Sequence, residues 1–351
     1  MTALWYANVA GMLAVYVVLD GFDFGAGIVH LFVAKTEAER RQVLSAIGPV
    51  WDGNEVWLIA AGGTLFFAFP RAYAISFSGF YLPLMLVLWL LILRGVSIEF
   101  RAQVPGALWR AFWDAVFALS GLLLAIVLGA ALGNVLRGVG LDGSGAFATP
   151  LFGNFRANVE RPGVLDWYTA GVGVFTAATL AAHGLGYLRW KTSGEVQRRC
   201  AKAALPVWIL VALLFVIGTF TTSRVRPELF SAIVSRPWSW LFVALTWLSL
   251  IAAPIAHRRG AELAAFLCSS VFLGSVLAAT ACGLYPVLLP SAIDPRFSLN
   301  AHTSASGAHG LAVGIVWWTA AMLLAAAYFT YLFRSLRGKI APAELTSETH
   351  L

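Results

Sequence analysis

Gly48-Pro49-Val50-Trp51-Asp52-Gly53-Asn54-Glu55-Val56-Trp57-Leu58 opens an apolar stretch that continues to Phe69. It predicts a membrane span with Asp52, Asn54 and Glu55 inside it. A carboxylate at the centre of a bilayer helix costs about 2.5–3.5 kcal/mol on insertion scales. Two within one helical turn need a reason, and Asp20 and Asp23 raise the same question in the preceding span.

Composition fits a bilayer. The chain is 60% hydrophobic and 12% charged, where soluble globular domains carry about 25% charge, so the class is a polytopic, all-α membrane protein. A net charge of +7 in such a chain belongs to topology-setting loops rather than to nucleic acid binding. No phosphate-cradling glycine loop or RNA-binding signature competes with that reading. Cys268 and Cys282 share a span but stand about 21 Å apart at helical rise, and Cys200 lies in a loop. They predict no disulfide and no zinc site. The first basic residue is Lys35, so the N-terminus lacks the basic region of a signal peptide, and the first span is expected to remain in place.

Nine apolar segments are long enough to cross about 30 Å of hydrocarbon. They run over Ala3–Val33, Ala46–Phe69, Ala72–Leu93, Phe112–Leu136, Val164–Leu188, Ala204–Thr221, Trp238–Ala256, Glu262–Leu289 and Ala312–Phe333. Threading them back and forth puts sixteen of the 24 Lys and Arg on one side and eight on the other. The positive-inside rule then sets the N-terminus outside and the C-terminus in the cytoplasm. Lys35-Thr36-Glu37 after the first span and Lys191-Thr192-Ser193 after the fifth, with Val116-Phe117 and Val271-Phe272, share an offset of about 155 residues. The pattern suggests two similarly oriented four-helix halves plus one extra helix. The Gly- and Asn-rich stretch from Arg137 to Gly163 reads as an external connection, and the polar tail as disordered beyond Pro342.

Asp20 and Asp23 are three residues apart, as are Asp52 and Glu55, so each pair shares a helix face. On this topology both pairs lie in the cytoplasmic half of the bilayer, with Asp23 about 15 Å from the surface. Two readings stay open. Buried carboxylates within water-bridged reach of each other can relay protons. They can equally lock helices by bonding to backbone and to Arg94 or Arg101. Gly21, Gly25 and Gly27 permit close helix approach or loosen the helix, and the long first span predicts tilt or a local break at Asp20–Asp23. No histidine pair has the spacing of a two-ligand heme or metal site, so the chain shows no redox centre of its own. Trp51 and Trp57 flank the acids, where aromatic packing is the default reading.

These motifs carry a resemblance. Asp20-Gly21-Phe22-Asp23-Phe24-Gly25-Ala26-Gly27, Pro49 to Leu58, Phe77-Ser78-Gly79-Phe80-Tyr81 and the Arg94–Arg101 segment resemble subunit II of the cytochrome bd-type (cytochrome bd or cyanide-insensitive) terminal quinol oxidases. The resemblance is strong through Gly133 and weaker beyond, where it rests on span number and the Tyr285-Pro286 to Pro290-Ser291 region. It implies a bacterial plasma-membrane heterodimer with a subunit I that holds the b-type hemes, heme d or a b-type substitute, and the quinol site. That complex oxidises quinol at the outer face and reduces dioxygen to water with cytoplasmic protons. It implies two four-helix bundles plus a peripheral helix: 1–136, an external loop 137–163, 164–289, loop and ninth helix 290–337, and a cytoplasmic tail 338–351. Subunit II of this family ligates no heme. Some members hold a structural quinone or a small single-helix accessory subunit. The resemblance places Asp52 on a proton path with Glu55, Asp20 and Asp23, and Trp57 and Trp51 near an oxygen route or heme. Asn54, Arg94, Glu99 and Arg101 become structural polar partners. Glu55 departs from the family pattern, in which Gln can stand at that position. A proton-coupled secondary transporter is the competing class, since it too uses intramembrane acids and glycine-loosened repeats.

Overall fold

The computed structural model describes residues 1–147 and 150–342; the tail expected to be disordered, with His350, lies outside them. The chain opens with α1 (Thr2–Val33), α2 (Glu37–Ile47), α3 (Trp51–Ala68), α4 (Pro70–Gly79), α5 (Tyr81–Phe100) and α6 (Ala107–Arg137). It continues with α7 (Trp167–Lys191), α8 (Gly194–Val225), α9 (Pro227–Val234), α10 (Ser239–Arg258) and α11 (Glu262–Leu284). A two-stranded antiparallel ribbon of β1 (Val287–Leu289) and β2 (Leu299–Asn300) leads into α12 (Ala301–Ser304) and α13 (Ala308–Ser335).

Among the described residues, eight helices are long and apolar enough to cross a membrane: α1, α5, α6, α7, α8, α10, α11 and α13. The expected Ala46–Phe69 span is α3, only 18 residues long, and the polar first turns from Trp51 to Glu55 keep it below that standard. The expected Ala72–Leu93 span is split at Phe80 into α4 and α5. There the Phe147 ring lies where a Gly79 Cβ would be, at 2.2 Å. The expected break at Asp20–Asp23 is not made: α1 is continuous across it.

Local signals set the boundaries. Ala34 leaves the helix in extended conformation (φ −110°, ψ 112°). Thr36 then caps α2 reciprocally with Glu39, satisfying amides at both positions. Asp166 caps α7 by accepting from the amides of Tyr168 (2.8 Å) and Thr169 (2.9 Å). Basic side chains finish helices at their other ends, where the last carbonyls lack partners. Arg199 donates to Val33 O (2.8 Å), Arg189 to His257 O (3.0 Å), Arg236 to Cys282 O and Tyr285 O, and Lys191 to Leu336 O.

In packing, α1 lies on α3 and α6, with α5 on α6; α7 lies on α8 and α11, with α10 on α11. These two groups meet where α1 crosses α7, α6 touches α7 and α11 touches α1. The α1–α7 crossing is a backbone contact. A Cβ on Gly25 would stand 2.0 Å from Leu180 O and 2.7 Å from Gly184 N, so a side chain there has no space. The least buried span is α13, tied at one end by Trp5 Nε1 donating to Leu311 O (3.2 Å) and at the other by Lys191.

Gly25→Ala should therefore force α1 and α7 apart at a cost of at least about 1–3 kcal/mol, read as a lowered detergent melting temperature. Gly62→Ala, where nothing lies within 4 Å of the added Cβ, should leave it unchanged. Equal melting of the two variants would refute the crossing as a packing constraint.

Candidate functional site

Three helices bring polar groups to one buried point. Asp20 and Asp23 share a face of α1, and both are fully buried. From α3, Asn54 donates through Nδ2 to Asp23 Oδ2 (2.8 Å) and to Leu19 O (3.3 Å). From α5, the Arg94 guanidinium donates to Asp20 Oδ1 through Nη1 and to Glu55 Oε2 (2.7 Å) through Nη2. The guanidinium lies over the Phe24 ring (4.8 Å) and near the Trp51 ring (5.8 Å), which shields it without offering an acceptor. One buried cation thus faces three carboxylates. Asp20 Oδ2, Asp23 Oδ1, Asn54 Oδ1, Arg94 Nε and Tyr16 Oη are buried with no protein partner. Leaving such an atom unpaired costs about 1–3 kcal/mol, and the site keeps open hydrogen-bonding positions that ordered water could occupy.

Helix phase decides where the remaining acids go. At 3.6 residues per turn, Asp52 stands about 200° from Asn54. With Asn54 turned inward, Asp52 is turned out and is exposed. Glu55 stands about 100° from Asn54, at the margin, and its side chain is 23% exposed. Asp52, Glu55 and Glu99 line a groove of about 440 Å³ between α3 and α5, walled by Val56, Ile59, Leu88, Ile92 and Val96. The structure thus brings Asp20, Asp23, Asn54, Glu55 and Arg94 together, and places Asp52 and Glu99 outside them. Trp51 packs at Gly95 beside Arg94, and Trp57 lies against Phe329 of α13 at 5.8 Å.

Arg101 belongs to a second network that sequence reading missed. Its centre is Asp114 of α6, fully buried, which accepts from Arg101 Nε (2.6 Å), Arg40 Nη1 (2.9 Å) and pairs with His30 Nε2 (2.8 Å). Arg101 also donates twice to Glu37, at 3.0 and 2.8 Å. Burial alone would raise the Glu37 carboxyl, but hydrogen bonds from Arg101 and Arg41 outweigh it and hold the group below its usual range. The signal was a lone Asp in the apolar run Phe112–Leu136. A search for paired acids passes over it, and its partners come from α1, α2 and the residue that ends α5.

His183 and His30, buried inside α7 and α1, each bond a neighbouring helix. His183 Nδ1 bonds Ser269 Oγ (2.7 Å), its Nε2 faces Val18 O (2.9 Å), and Phe266 stacks on it at 4.9 Å. His30 Nε2 is held by Asp114, and Met12 Sδ accepts from Thr64 (3.4 Å).

Comparison with known proteins then bears on the site. Residues 1–336 match the family described as cytochrome bd terminal oxidase subunit II. The chain is 28% identical to the cytochrome bd-I ubiquinol oxidase subunit 2 of Escherichia coli, covering 99% of this chain and 97% of that one. It is 30% identical to the cytochrome bd ubiquinol oxidase subunit 2 of Bacillus subtilis, covering 88% of each. Its fold is similar to a chain in the structure of bd oxidase from Geobacillus thermodenitrificans, with a TM-score of 0.75 at 17% identity over 95% of this chain and 97% of that one.

Two outcomes follow from the geometry. Arg94→Met leaves Asp20 and Glu55 without their cation and should cost about 3–5 kcal/mol; adding Asp20→Asn should recover part of the melting temperature, and no recovery would deny the pairing. A carboxyl held low in the folded state contributes stability above its unfolded value, and loses it as pH falls through the folded one. Melting temperature should therefore drop as pH falls through and below the ordinary Glu range, near 4.5, and the drop should be shallower in Glu37→Gln.

Proposed function

Because the chain belongs to the cytochrome bd terminal oxidase subunit II family, we propose that it acts as the non-heme subunit beside a heme-bearing subunit I, supplying cytoplasmic protons to dioxygen reduction. The enzyme it serves is a quinol:oxygen oxidoreductase of the bacterial respiratory membrane. The observation that carries the proton reading is the buried Asp20–Asp23–Asn54–Arg94–Glu55 group, which meets an acid-lined groove at Glu55. Carboxylates shared on one guanidinium, with free oxygens at buried positions, can exchange protons without a large change in charge. Asp52, exposed at the groove, is the first acceptor of cytoplasmic protons; Glu55, Asp20 and Asp23 are the further acids of the group.

The groove is also the face we assign to subunit I. Exposed Asp52 and Glu99 would be costly against lipid, whereas a partner helix bearing hydrogen-bond donors would satisfy them. We read the chain as two four-helix bundles, 1–136 and 164–289, joined by the 137–163 connection and followed by a peripheral ninth helix. The N-terminus lies outside and the basic loops lie in the cytoplasm, as the charge asymmetry supports. A transporter needs none of this pairing with a redox partner, and the family membership favours the oxidase.

Asp52→Asn keeps size and hydrogen bonding but removes titration. Quinol-oxidase turnover of the assembled complex should fall severalfold, and unchanged turnover would remove Asp52 from the path. The tagged chain purified from native membranes should bring a heme spectrum with it, in reduced-minus-oxidised difference, whereas the chain expressed alone should bring none.

A further inference from the structure

We infer that the cytoplasmic rim of α8 and α10 is a docking surface for an anionic phospholipid. Lys202, Arg258 and Arg259 hold its headgroup, and its acyl chains lie along the outward faces of the two helices. This goes beyond the proton reading and uses from it only the sidedness of the basic loops. Cations of the first bundle are taken by acids: Asp114 pairs with Arg40 and Arg101, and Glu37 with Arg41, Arg101 and Arg110. Around α8 and α10 the balance differs. Segments 189–204 and 256–264 carry two carboxylates, and both are occupied. Glu195 pairs with Arg198 (2.5 Å) and Arg199 (3.7 Å), and Glu262 with Lys339 (2.5 Å). Arg189 and Lys191 bond carbonyls. Lys202, Arg258 and Arg259 are left exposed, with no carboxylate partner among the described residues.

Helix geometry brings these cations to one level. Trp208 Nε1 donates to Leu250 O (2.9 Å), the carbonyl that Pro254 leaves without a helical amide, and this bond sets α8 beside α10. As consecutive spans, the two helices run in opposite directions. From the bond, Lys202 lies six residues toward the basic end, about 9 Å, and Arg258 eight residues, about 12 Å. They stand within about 3 Å of the same depth, on axes about 8–10 Å apart, a gap that two long cationic side chains can close on one headgroup. The outward apolar strips are in phase with them. Exposed Ile209, Leu213 and Phe220 follow Lys202 by 7, 11 and 18 residues, and exposed Ile251, Trp247 and Trp240 precede Arg258 by the same steps. Each set falls within about 20° of one line along its helix. Both helices therefore present an apolar strip that ends in an unpaired cation, the order of a phospholipid from tail to headgroup. An acidic headgroup supplies the missing negative charge, and a zwitterionic one does not. A second copy of this face would meet it with like charge.

The test uses the assembled oxidase in neutral detergent, with heme-to-protein ratio as the check on assembly. Melting temperature is measured with added phosphatidylglycerol, phosphatidylcholine or inorganic phosphate, and native mass spectrometry counts the phosphatidylglycerol retained. Phosphatidylglycerol should raise the melting temperature at least about 3 °C more than phosphatidylcholine does, and phosphate at the same concentration should not raise it. The triple variant Lys202→Gln, Arg258→Gln, Arg259→Gln should lose that difference and retain less phosphatidylglycerol. Lys202→Arg should keep it, as should Lys35→Gln at an exposed cation of the first bundle. Where the triple variant assembles poorly, Arg258→Gln alone should show a reduced difference, and an unreduced one would count against the site. Equal rises with the two lipids would remove the role of headgroup charge. A full difference in the triple variant would place the lipid elsewhere. The same rise with inorganic phosphate would make this a site for a free anion. A doubled mass without retained lipid would give the face to a second copy.

Discussion

The Arg94 guanidinium, buried without exposure, holds α1 and α3 to α5 through Asp20 and Glu55, and the arrangement of the first helices depends on it. A cation inside an apolar bundle is tolerable only when its donors find anions. Asp20 and Glu55 take two of its donor nitrogens, and aromatic faces from Phe24 and Trp51 cover the rest of its plane. With Arg94 fixed, Asn54 must turn toward Asp23, and helix phase then turns Asp52 outward. The exposed acid and the buried acids are thus two consequences of one ion pair.

Around this centre, cohesion comes from polar ends and close backbones more than from a single apolar core. Lipid tails are as apolar as the side chains, so burial drives helix association weakly in a bilayer. What remains is van der Waals contact where glycines let helices touch, as at Gly25 and Gly184, and hydrogen bonds at helix termini. The same arginines and lysines that set topology by their number also satisfy carbonyls at helix ends, as Arg199, Arg189 and Arg236 do. A charge counted as a topology signal is therefore also a piece of tertiary structure.

Much of the fold was legible in residue order. Apolar length located most of the spans, whereas Pro70 and Pro227 at the starts of α4 and α9 and the caps Thr36 and Asp166 are local signals that hydropathy passes over. The errors share a cause. The continuous run Ala72–Leu93 carries no local sign that Phe147, far along the chain, will wedge at Gly79. The glycines around Asp20 looked like a weak point in α1, yet they are the surface on which α7 and α6 rest. The Asp114 network was invisible because a lone acid acquires meaning only from Arg40, Arg101 and His30, each from a different part of the chain.

By itself, the sequence determined that this is a multi-span helical membrane protein of the bd oxidase subunit II family, carrying acids where lipid would not accept them. Hydropathy and motif are properties of residue order, so they could be read there. Only tertiary structure decided that Arg94 serves Asp20 and Glu55 while Arg101 serves Asp114 and Glu37. It also decided that Asp52 faces out while Asp23 faces in. Partner choice and facing depend on helix rotation and on neighbours distant in the chain, and a one-residue step turns a side chain by about 100°.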